Sequence, residues 1–187
     1  MIRVFLLRHG ESASNAHSGA ETLSEQVGDR LTERGLRQAQ AAGAGLAEKG
    51  VTRLLSSPMR RARETADAVG AALGLAPTVL PHTHELTEGE TFEQLVGRVR
   101  LLKAELEALA PAERPLLVSH GIFIRFFLLD SVLGEDFAAP MAGRIWHLRS
   151  HNCALSEFEP AGARDPAGGE TPGWACVSWM TRPWDPP

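Results

Sequence analysis

Cysteine is scarce in this sequence, and long apolar runs are absent. The two cysteines, Cys153 and Cys176, are too few for a disulfide scaffold and lack the C-x-x-C spacing of zinc or redox sites. The apolar N-terminal run ends at "RHGES", short of the apolar region of a signal peptide, and "GIFIRFFLL" is interrupted by Arg125 and too short to span a bilayer. We therefore expect a cytoplasmic protein without a membrane segment.

An excess of positive charge is also missing. The 19 lysines and arginines are outnumbered by 23 aspartates and glutamates, so the formal net charge is -4. This balance provides no general basic surface for nucleic acid or for an anionic membrane, and a bound anion must be held by a local cluster. With 43% hydrophobic residues and a length of 187 residues, the chain is expected to form a single domain over residues 1–187.

What the sequence does contain is an alternation of strand-like and helix-like segments. Apolar runs are separated by segments with helical periodicity, which is typical of a sheet covered by helices. The predicted strands are Arg3 to Leu7, "RLLSS", a segment near Thr78 to Leu80, "PLLVSHG", "RIWHL", "ALSEFE" and "WACVSWM". We expect an α/β three-layer sandwich, in which helices flank a mostly parallel central sheet and the last three strands lie near one edge.

The helical segments carry their own start signals. One helix is predicted over roughly Glu33 to Lys49. The next is predicted to begin with Ser57 as its N-cap and Pro58 at its first position. Thr91 and Gln94 form a capping box in front of an apolar helical stripe. The stretch "PAGARDPAGGETPG" is predicted to be a flexible loop.

Two of the predicted strands end in a histidine followed by a glycine. "LLRHG" ends with His9 and "VSHG" ends with His120. Because the carboxyl ends of parallel strands face a common crevice, these histidines are expected to converge. Arg60 and Arg61 lie in the first turn of a helix whose amino end itself attracts anions. Together these groups would form a binding site for an oxyanion, and a phosphoryl group is the ligand we expect there.

The residue types in this predicted anion-binding site suit phosphoryl transfer. The planar arginine side chain makes paired hydrogen bonds to phosphate oxygens and stays charged at any working pH. A neutral imidazole, with an ordinary pKa of about 6.5, is a competent nucleophile near neutral pH. Phosphoryl transfer depends mainly on positioning and charge neutralisation, together with a proton for the leaving oxygen.

Four motifs in this order resemble those of the histidine phosphatase superfamily, in the branch that contains cofactor-dependent phosphoglycerate mutase. They are "LLRHGESASN", "LTERGLRQAQ", "SSPMRRARETA" and "VSHG", which run from about Val4 to Gly121. The strands after them are only generically similar. A lone R-H-G would be a weak signal, whereas four ordered matches are a strong one.

The resemblance assigns roles to individual residues. It implies that His9 is the nucleophile that becomes phosphorylated and that Arg8 grips the phosphoryl oxygens. By the R-A of the third motif, Arg61 rather than Arg60 is the second arginine. The other phosphate-binding residues that it implies are Asn15, His120 and Gly121.

The general acid of the family is a glutamate in a variable segment, here "PHTHELTEGETFEQ". Glu85 and Glu88 both fit. "ELTEGE" matches a glutamate with a glycine four residues on, and "LTE" matches the equally common Leu-x-Glu. We favour Glu85 because the stretch from Pro77 then needs less insertion.

Some of these residues also have alternative interpretations, as a solvated surface or as metal ligands. Arg60 and Arg63 are interpreted as a solvated helix face. His82, His84 and Glu85 alternate along the chain and would suit a metal if they lay on one strand. No second pair of ligands at suitable spacing accompanies them, so neither a metal nor another cofactor is expected.

The sequence thus predicts a metal-independent phosphomonoester hydrolase that acts on a small-molecule substrate. The first alternative is a mutase, which returns the phosphoryl group to a bound sugar acid. Mutases of this family are usually longer, and the short region after Glu85 favours hydrolysis. Two further alternatives are a phosphate-binding module without turnover and a metal-dependent hydrolase built on "HTHE". No pattern in the sequence indicates an oligomeric state.

Overall fold

The computed structural model describes residues 2–18, 29–164 and 169–185, and its strands form one six-stranded sheet in the order β3-β2-β4-β1-β5-β6. The first four strands are parallel where they pair, and an antiparallel hairpin is added beside β1. The strands are β1 Val4–Arg8, β2 Arg53–Ser56, β3 Thr78–Val79, β4 Pro115–Ser119, β5 Leu155–Arg164 and β6 Glu170–Thr181. The predicted α/β fold with a mostly parallel sheet between helices is confirmed.

Five α-helices accompany the sheet in the described residues. They are α1 Ala13–Ser18, α2 Glu33–Leu46, α3 Arg60–Leu73, α4 Phe92–Glu107 and α5 Gly121–Leu133. Short 3-10 helices cover Ala47–Lys49, Pro81–Thr83, Gly134–Asp136 and Ala139–His147. In the same described residues, none of the helices combines the length and apolar character that a membrane crossing requires.

The central strands of the sheet are buried on both faces, which explains why β1 and β4 are apolar up to their last residue. Along β1, Leu6 faces a core built with α4 and α5, whereas Phe5 and Leu7 face a second core built with α2 and α3. Strands of parallel sheets covered on both sides read as continuous apolar runs. β1 and β4 are paired in parallel, so their carboxyl ends lie next to each other.

The predicted helix boundaries are largely confirmed, with one correction. The helix from Glu33 ends as predicted at Lys49, its last turn being a 3-10 helix. The capping box of Thr91 and Gln94 is present. The prediction that Ser57 caps α3 is wrong, because α3 begins at Arg60 with Met59 as N-cap. The Ser57 side chain is instead hydrogen bonded to His120.

Two predictions in the last third of the chain need correction. "RIWHL" is not a strand, because Ile145 to His147 belong to the 3-10 helix and Ile145 packs into the core. The position beside β1 is taken by β5, and β6 forms the edge of the sheet. The segment predicted as a flexible loop instead extends β5 to Arg164 and begins β6 at Glu170, while residues 165–168 lie outside the described part.

Candidate active site

The two motif histidines converge at the carboxyl ends of β1 and β4. Arg8 and Ser119 are register partners in these adjacent parallel strands, and each histidine follows directly. The ring centroids of His9 and His120 are 5.2 Å apart. Both side chains are almost fully buried. The topology therefore brings together two groups that are more than a hundred residues apart in sequence.

The hydrogen bonds of His9 define which ring nitrogen carries the lone pair. Its Nδ1 lies 2.7 Å from the carbonyl oxygen of Gly10, which can only accept, so Nδ1 carries the proton. Arg61 Nε donates to His9 Nε2 at 3.1 Å. Burial, reinforced by Arg61 and Arg8, lowers the pKa of His9 well below 6.5. His9 is therefore neutral at physiological pH, and the lone pair of its Nε2 accepts the hydrogen bond from Arg61.

Arg61 is the buried cation at the centre of this cluster. It lies in the first turn of α3, and besides His9 it contacts His120 Nδ1 at 3.0 Å and Met59 Sδ at 3.1 Å through Nη2. Burial lowers its pKa to about 10, with Glu85 opposing that shift and Arg8 adding to it. Arg61 therefore keeps its positive charge at neutral pH.

His120 is fixed between Arg61 and Ser57. Because Arg61 can only donate, His120 Nδ1 accepts and the proton lies on Nε2, which donates to Ser57 Oγ at 2.7 Å. Burial lowers the pKa of His120 well below 6.5, and Arg61, His9 and Arg8 contribute further. Sequence reasoning missed Ser57 as part of this cluster, although it stands in the third motif.

Two motif glycines bring the backbone segments around His9 into contact. A Cβ added to Gly10 would lie 2.5 Å from the carbonyl oxygen of Gly35, and one added to Gly35 would collide with the carbonyl oxygen of Glu11. The Gly10 amide donates to Thr65 Oγ1 at 3.0 Å, and Thr65 donates to the carbonyl oxygen of Arg61. Glycines of the first and second motifs are thus needed for this close approach.

Arg8 and Asn15 contact the segment that precedes β5. Arg8 is 5% exposed, and its Nη1 donates to the carbonyl oxygen of Ser150 at 2.9 Å. Asn152 Nδ2 donates to the carbonyl oxygen of His9 at 3.1 Å and to Asn15 Oδ1 at 3.2 Å. Sequence reasoning missed Asn152, because no motif or periodicity marks it.

The structure separates the two candidate acids. Glu85 is buried, and its carboxylate accepts hydrogen bonds from the backbone amides of Leu86, Ile122 and Phe123 at 2.9, 3.1 and 3.2 Å. Two of these donors belong to the first turn of α5, which begins at Gly121 directly after His120. Glu88 is exposed. Glu85 is therefore the candidate that reaches the cluster.

Further hydrogen bonds hold the Glu85 segment in place. Ser119 Oγ donates to the carbonyl oxygen of Thr83 at 2.9 Å. Arg98 Nη1 donates to the carbonyl oxygens of two residues, His82 at 2.7 Å and His84 at 2.8 Å. These contacts with β4 and α4 position the Glu85 carboxyl group. No periodicity in the sequence predicts them.

The possible metal ligands of "HTHE" do not converge. His82 Nε2 lies 3.2 Å from a carboxylate oxygen of Glu105, and His84 Nδ1 donates to the carbonyl oxygen of Glu85. The Glu85 carboxylate is engaged by α5. Within residues 2–18, 29–164 and 169–185 there is no group of three or more His, Cys, Asp or Glu that could hold a metal ion.

The two neighbouring arginines of α3 lie apart from the cluster. Arg60 is exposed and forms a helix-surface ion pair with Glu64 at 2.7 Å. Arg63 is exposed as well. Both positions agree with a solvated helix face.

Acidification is expected to destabilise the protein through His9 and His120. Both are held neutral in the folded state, whereas the unfolded chain binds protons at these histidines below about pH 6.5. The free energy of unfolding should therefore decrease as pH falls below about 6.5, by up to about 1.4 kcal/mol per pH unit for each histidine. Urea unfolding between about pH 7.5 and 5.5 measures this slope. A His120→Gln variant should show a shallower slope, and a flat profile in the unmodified protein would contradict the argument.

Several known proteins are similar to this chain in sequence. A sequence profile for the histidine phosphatase superfamily (branch 1) matches residues 4–87 and 80–166. The probable phosphoglycerate mutase GpmB of Yersinia pestis is 29% identical over 192 residues, which covers 85% of this chain and 85% of that protein. The probable phosphoglycerate mutase GpmB of Erwinia tasmaniensis is 27% identical over 192 residues, which again covers 85% of this chain and 85% of that protein.

Solved structures share the fold over nearly the whole chain. The mycobacterial glucosyl-3-phosphoglycerate phosphatase Rv2419c with VO3 has a TM-score of 0.73 and 24% identity, covering 96% of this chain and 99% of that one. Phosphoserine phosphatase of Entamoeba histolytica with 3-phosphoglyceric acid has a TM-score of 0.74 and 16% identity, covering 98% and 99%. With the profile matching most of its residues, this chain belongs to branch 1 of the histidine phosphatase superfamily.

Proposed function

We propose that this protein hydrolyses phosphomonoesters without a metal ion, through a phosphohistidine formed on His9. The observation that carries the proposal is the state of His9. Its imidazole is neutral, its Nδ1 proton is held by the Gly10 carbonyl oxygen, and its Nε2 faces the Arg61 guanidinium. A nucleophile prepared in this way and surrounded by cationic donors suits attack on a phosphoryl group.

In the first step, His9 Nε2 attacks phosphorus in line with the leaving oxygen. The N–P bond forms as the P–O bond to the alcohol breaks, and protonated Glu85 supplies the proton that the leaving alkoxide needs. The charge on the equatorial oxygens is taken up by Arg8 and Arg61, and by His120 once its Nε2 proton turns from Ser57 Oγ to a phosphoryl oxygen. Before the attack, Arg61 Nε gives up its hydrogen bond to His9 Nε2 and donates to a phosphoryl oxygen instead, which frees the Nε2 lone pair.

In the second step, water attacks the phosphorus of phosphohistidine. Glu85, now a carboxylate, accepts a proton from the water as the P–N bond breaks. Inorganic phosphate leaves, and His9 and Glu85 return to their starting states. The overall reaction consumes one phosphomonoester and one water, and yields one alcohol and one phosphate.

A mutase is the second candidate, because the relatives named above are probable phosphoglycerate mutases. The phosphatase names belong to proteins that share the fold. Incubation with 3-phosphoglycerate separates the two functions, since a phosphatase releases inorganic phosphate whereas a mutase forms the 2-phospho isomer. Isomer formation that outpaces phosphate release would assign the mutase reaction instead.

Phosphatase activity is expected to be insensitive to chelators and sensitive to vanadate. No step above uses a metal, so EDTA should leave the hydrolysis of p-nitrophenyl phosphate unchanged. Vanadate resembles the five-coordinate phosphorus of the transition state and should inhibit. Loss of activity in EDTA that zinc or manganese restores would make His82, His84 and Glu85 ligands and refute the metal-independent route.

A further inference from the structure

The segment that carries Glu85 has no regular structure of its own. Between the 3-10 helix Pro81–Thr83 and α4, residues 84–90 form neither helix nor strand, and Gly89 has a positive φ of 79°. Glu85 is nonetheless buried, and only 4% exposed. Irregular segments are usually more mobile than helices and strands, so a buried carboxyl group on such a segment depends on side chains that fix the backbone around it.

One side chain of α4, Arg98, contacts this segment on both sides of Glu85. Its Nη1 donates to the carbonyl oxygens of His82 at 2.7 Å and His84 at 2.8 Å. Its Nε and Nη2 donate to the two carboxylate oxygens of Glu90, at 2.7 and 2.8 Å. Four of the five N–H donors of the guanidinium group are therefore used to hold the segment.

The ion pair between Arg98 and Glu90 is well shielded from water. The Arg98 side chain is 13% exposed and the Glu90 side chain is 8% exposed. Burial alone would raise the pKa of Glu90, but the hydrogen bonds and the charge of Arg98, followed by smaller effects of Thr87 and His84, lower it below its ordinary value. Glu90 is therefore ionised at neutral pH. Two parallel hydrogen bonds between a guanidinium and a carboxylate fix the orientation of both groups as well as their distance.

Arg98 also contacts a residue that binds the Glu85 carboxylate. Its guanidinium carbon lies 5.4 Å from the centroid of the Phe123 ring, a distance at which a cation is attracted to an aromatic face. The backbone amide of Phe123, in the first turn of α5, donates to Glu85 Oε1 at 3.2 Å. Arg98 thus connects the backbone next to Glu85 with the helix that holds its carboxylate.

We infer that Arg98 is a positioning residue for the general acid, and that it sets the place of the Glu85 carboxyl group relative to His9 and the leaving oxygen. This inference rests on the proposed function. The contacts of Arg98 described above are with backbone carbonyl groups, a second carboxylate and an aromatic ring, so Arg98 acts through Glu85. Proton transfer requires hydrogen-bond distance to the leaving oxygen, and a displaced carboxyl group loses that distance.

The dependence of the rate on the leaving group tests this inference. We expect Arg98→Gln to lower kcat/KM about tenfold more for glycerol phosphate than for p-nitrophenyl phosphate, because the alkyl leaving group needs the proton from Glu85. Arg98→Lys keeps the positive charge but cannot form all four hydrogen bonds, so it should show a smaller loss of the same kind. If Arg98→Gln does not fold, Arg98→Lys provides the comparison.

Arg100→Gln is the matched control. Arg100 lies two residues further along α4, and its Nε forms an ion pair with the buried Asp130 at 2.9 Å. The substitution removes the same charge and a comparable ion pair, but it leaves the contacts of Arg98 in place. Any loss of folded protein that it causes should slow both substrates equally.

The double variant of Arg98→Gln and Glu85→Gln shows whether the two residues act together. If Arg98 acts through Glu85, Arg98→Gln should cause no further leaving-group-dependent loss once Glu85 has been replaced. If the two residues act independently, their leaving-group-dependent losses should multiply.

Failure of the inference is distinguishable from failure of the proposed function. Equal losses for both substrates in the Arg98 variants, or losses that multiply in the double variant, would overturn the role of Arg98 while Glu85 remains the acid. Glu85→Gln without a leaving-group-dependent loss would instead refute the proposed acid. If no phosphomonoester is hydrolysed, p-nitrophenyl phosphate included, the proposed function itself fails. This inference fails with either of them.

Discussion

Substitution of His9 by alanine is expected to abolish both turnover and the covalent intermediate. The proposed reaction has no route to a phosphoenzyme without the lone pair on His9 Nε2, so activity should decrease on the order of 10⁴-fold or more. Arg8, Arg61 and His120 would still bind phosphate. Substrate affinity should therefore be reduced far less than kcat.

Rapid acid-free quenching during turnover of a radiolabelled phosphomonoester provides the measurement. The unmodified protein should carry label that is lost in acid and stable in base, as a phosphoramidate is, and peptide mapping should locate it at His9. His9→Ala should carry none. His82→Ala is the control, because the partly buried His82 side chain contacts Glu105 of α4, outside the proposed active site, and its loss should leave label and activity intact.

The buried His9 site requires a check on folding. Alanine leaves a cavity next to Arg61, so His9→Gln serves as a second variant that fills more of the space. Both variants should unfold cooperatively and bind phosphate. Label on a serine or cysteine of the unmodified protein would end the phosphohistidine assignment.

Much of the histidine cluster could be predicted from the sequence because it depends on strong local signals. Continuous apolar runs identified β1 and β4 as buried strands, and parallel strands in such a sheet present their carboxyl ends together. His9 and His120 stand directly after these runs. Their convergence therefore follows from strand burial and topology alone.

Residues without a local signal were missed or misassigned. Ser57 looked like a helix cap, since capping depends on neighbouring residues, but its hydroxyl group is used by His120 from another strand. Asn152 precedes β5 outside any periodic segment, and its contacts with His9 and Asn15 depend entirely on tertiary structure. "RIWHL" has the composition of a strand, but it is part of a 3-10 helix, and the positions beyond β1 in the sheet are occupied by β5 and β6.

The two candidate acids illustrate the same limit. Glu85 and Glu88 both match local patterns of the family segment, and only long-range contacts separate them. Glu85 reaches the first turn of α5, more than thirty residues away in sequence, whereas Glu88 is exposed. The role of Glu85 in proton transfer is a prediction that kinetic measurements can test directly.

Substitution of Glu85 by glutamine is expected to slow hydrolysis in a manner that depends on the leaving group. An alkyl alkoxide is a poor leaving group and needs its proton as the P–O bond breaks, so loss of the acid should cost about 10²- to 10⁴-fold in kcat/KM. The p-nitrophenolate ion is stabilised by delocalisation of its negative charge, so it can leave without receiving a proton. Glu85→Gln should therefore slow glycerol phosphate much more than p-nitrophenyl phosphate.

Glu88→Gln is the matched control, because it makes the same chemical change three residues away on an exposed side chain. It should do little to either substrate. Glutamine at position 85 also replaces one acceptor of the backbone amides by an NH2 group, which should lower the free energy of unfolding by about 1–3 kcal/mol. Such destabilisation would slow both substrates equally if it reduced the folded fraction, whereas loss of a proton donor separates them. A leaving-group-dependent loss in Glu88→Gln but not in Glu85→Gln would transfer the role to Glu88 and leave the reaction class unchanged.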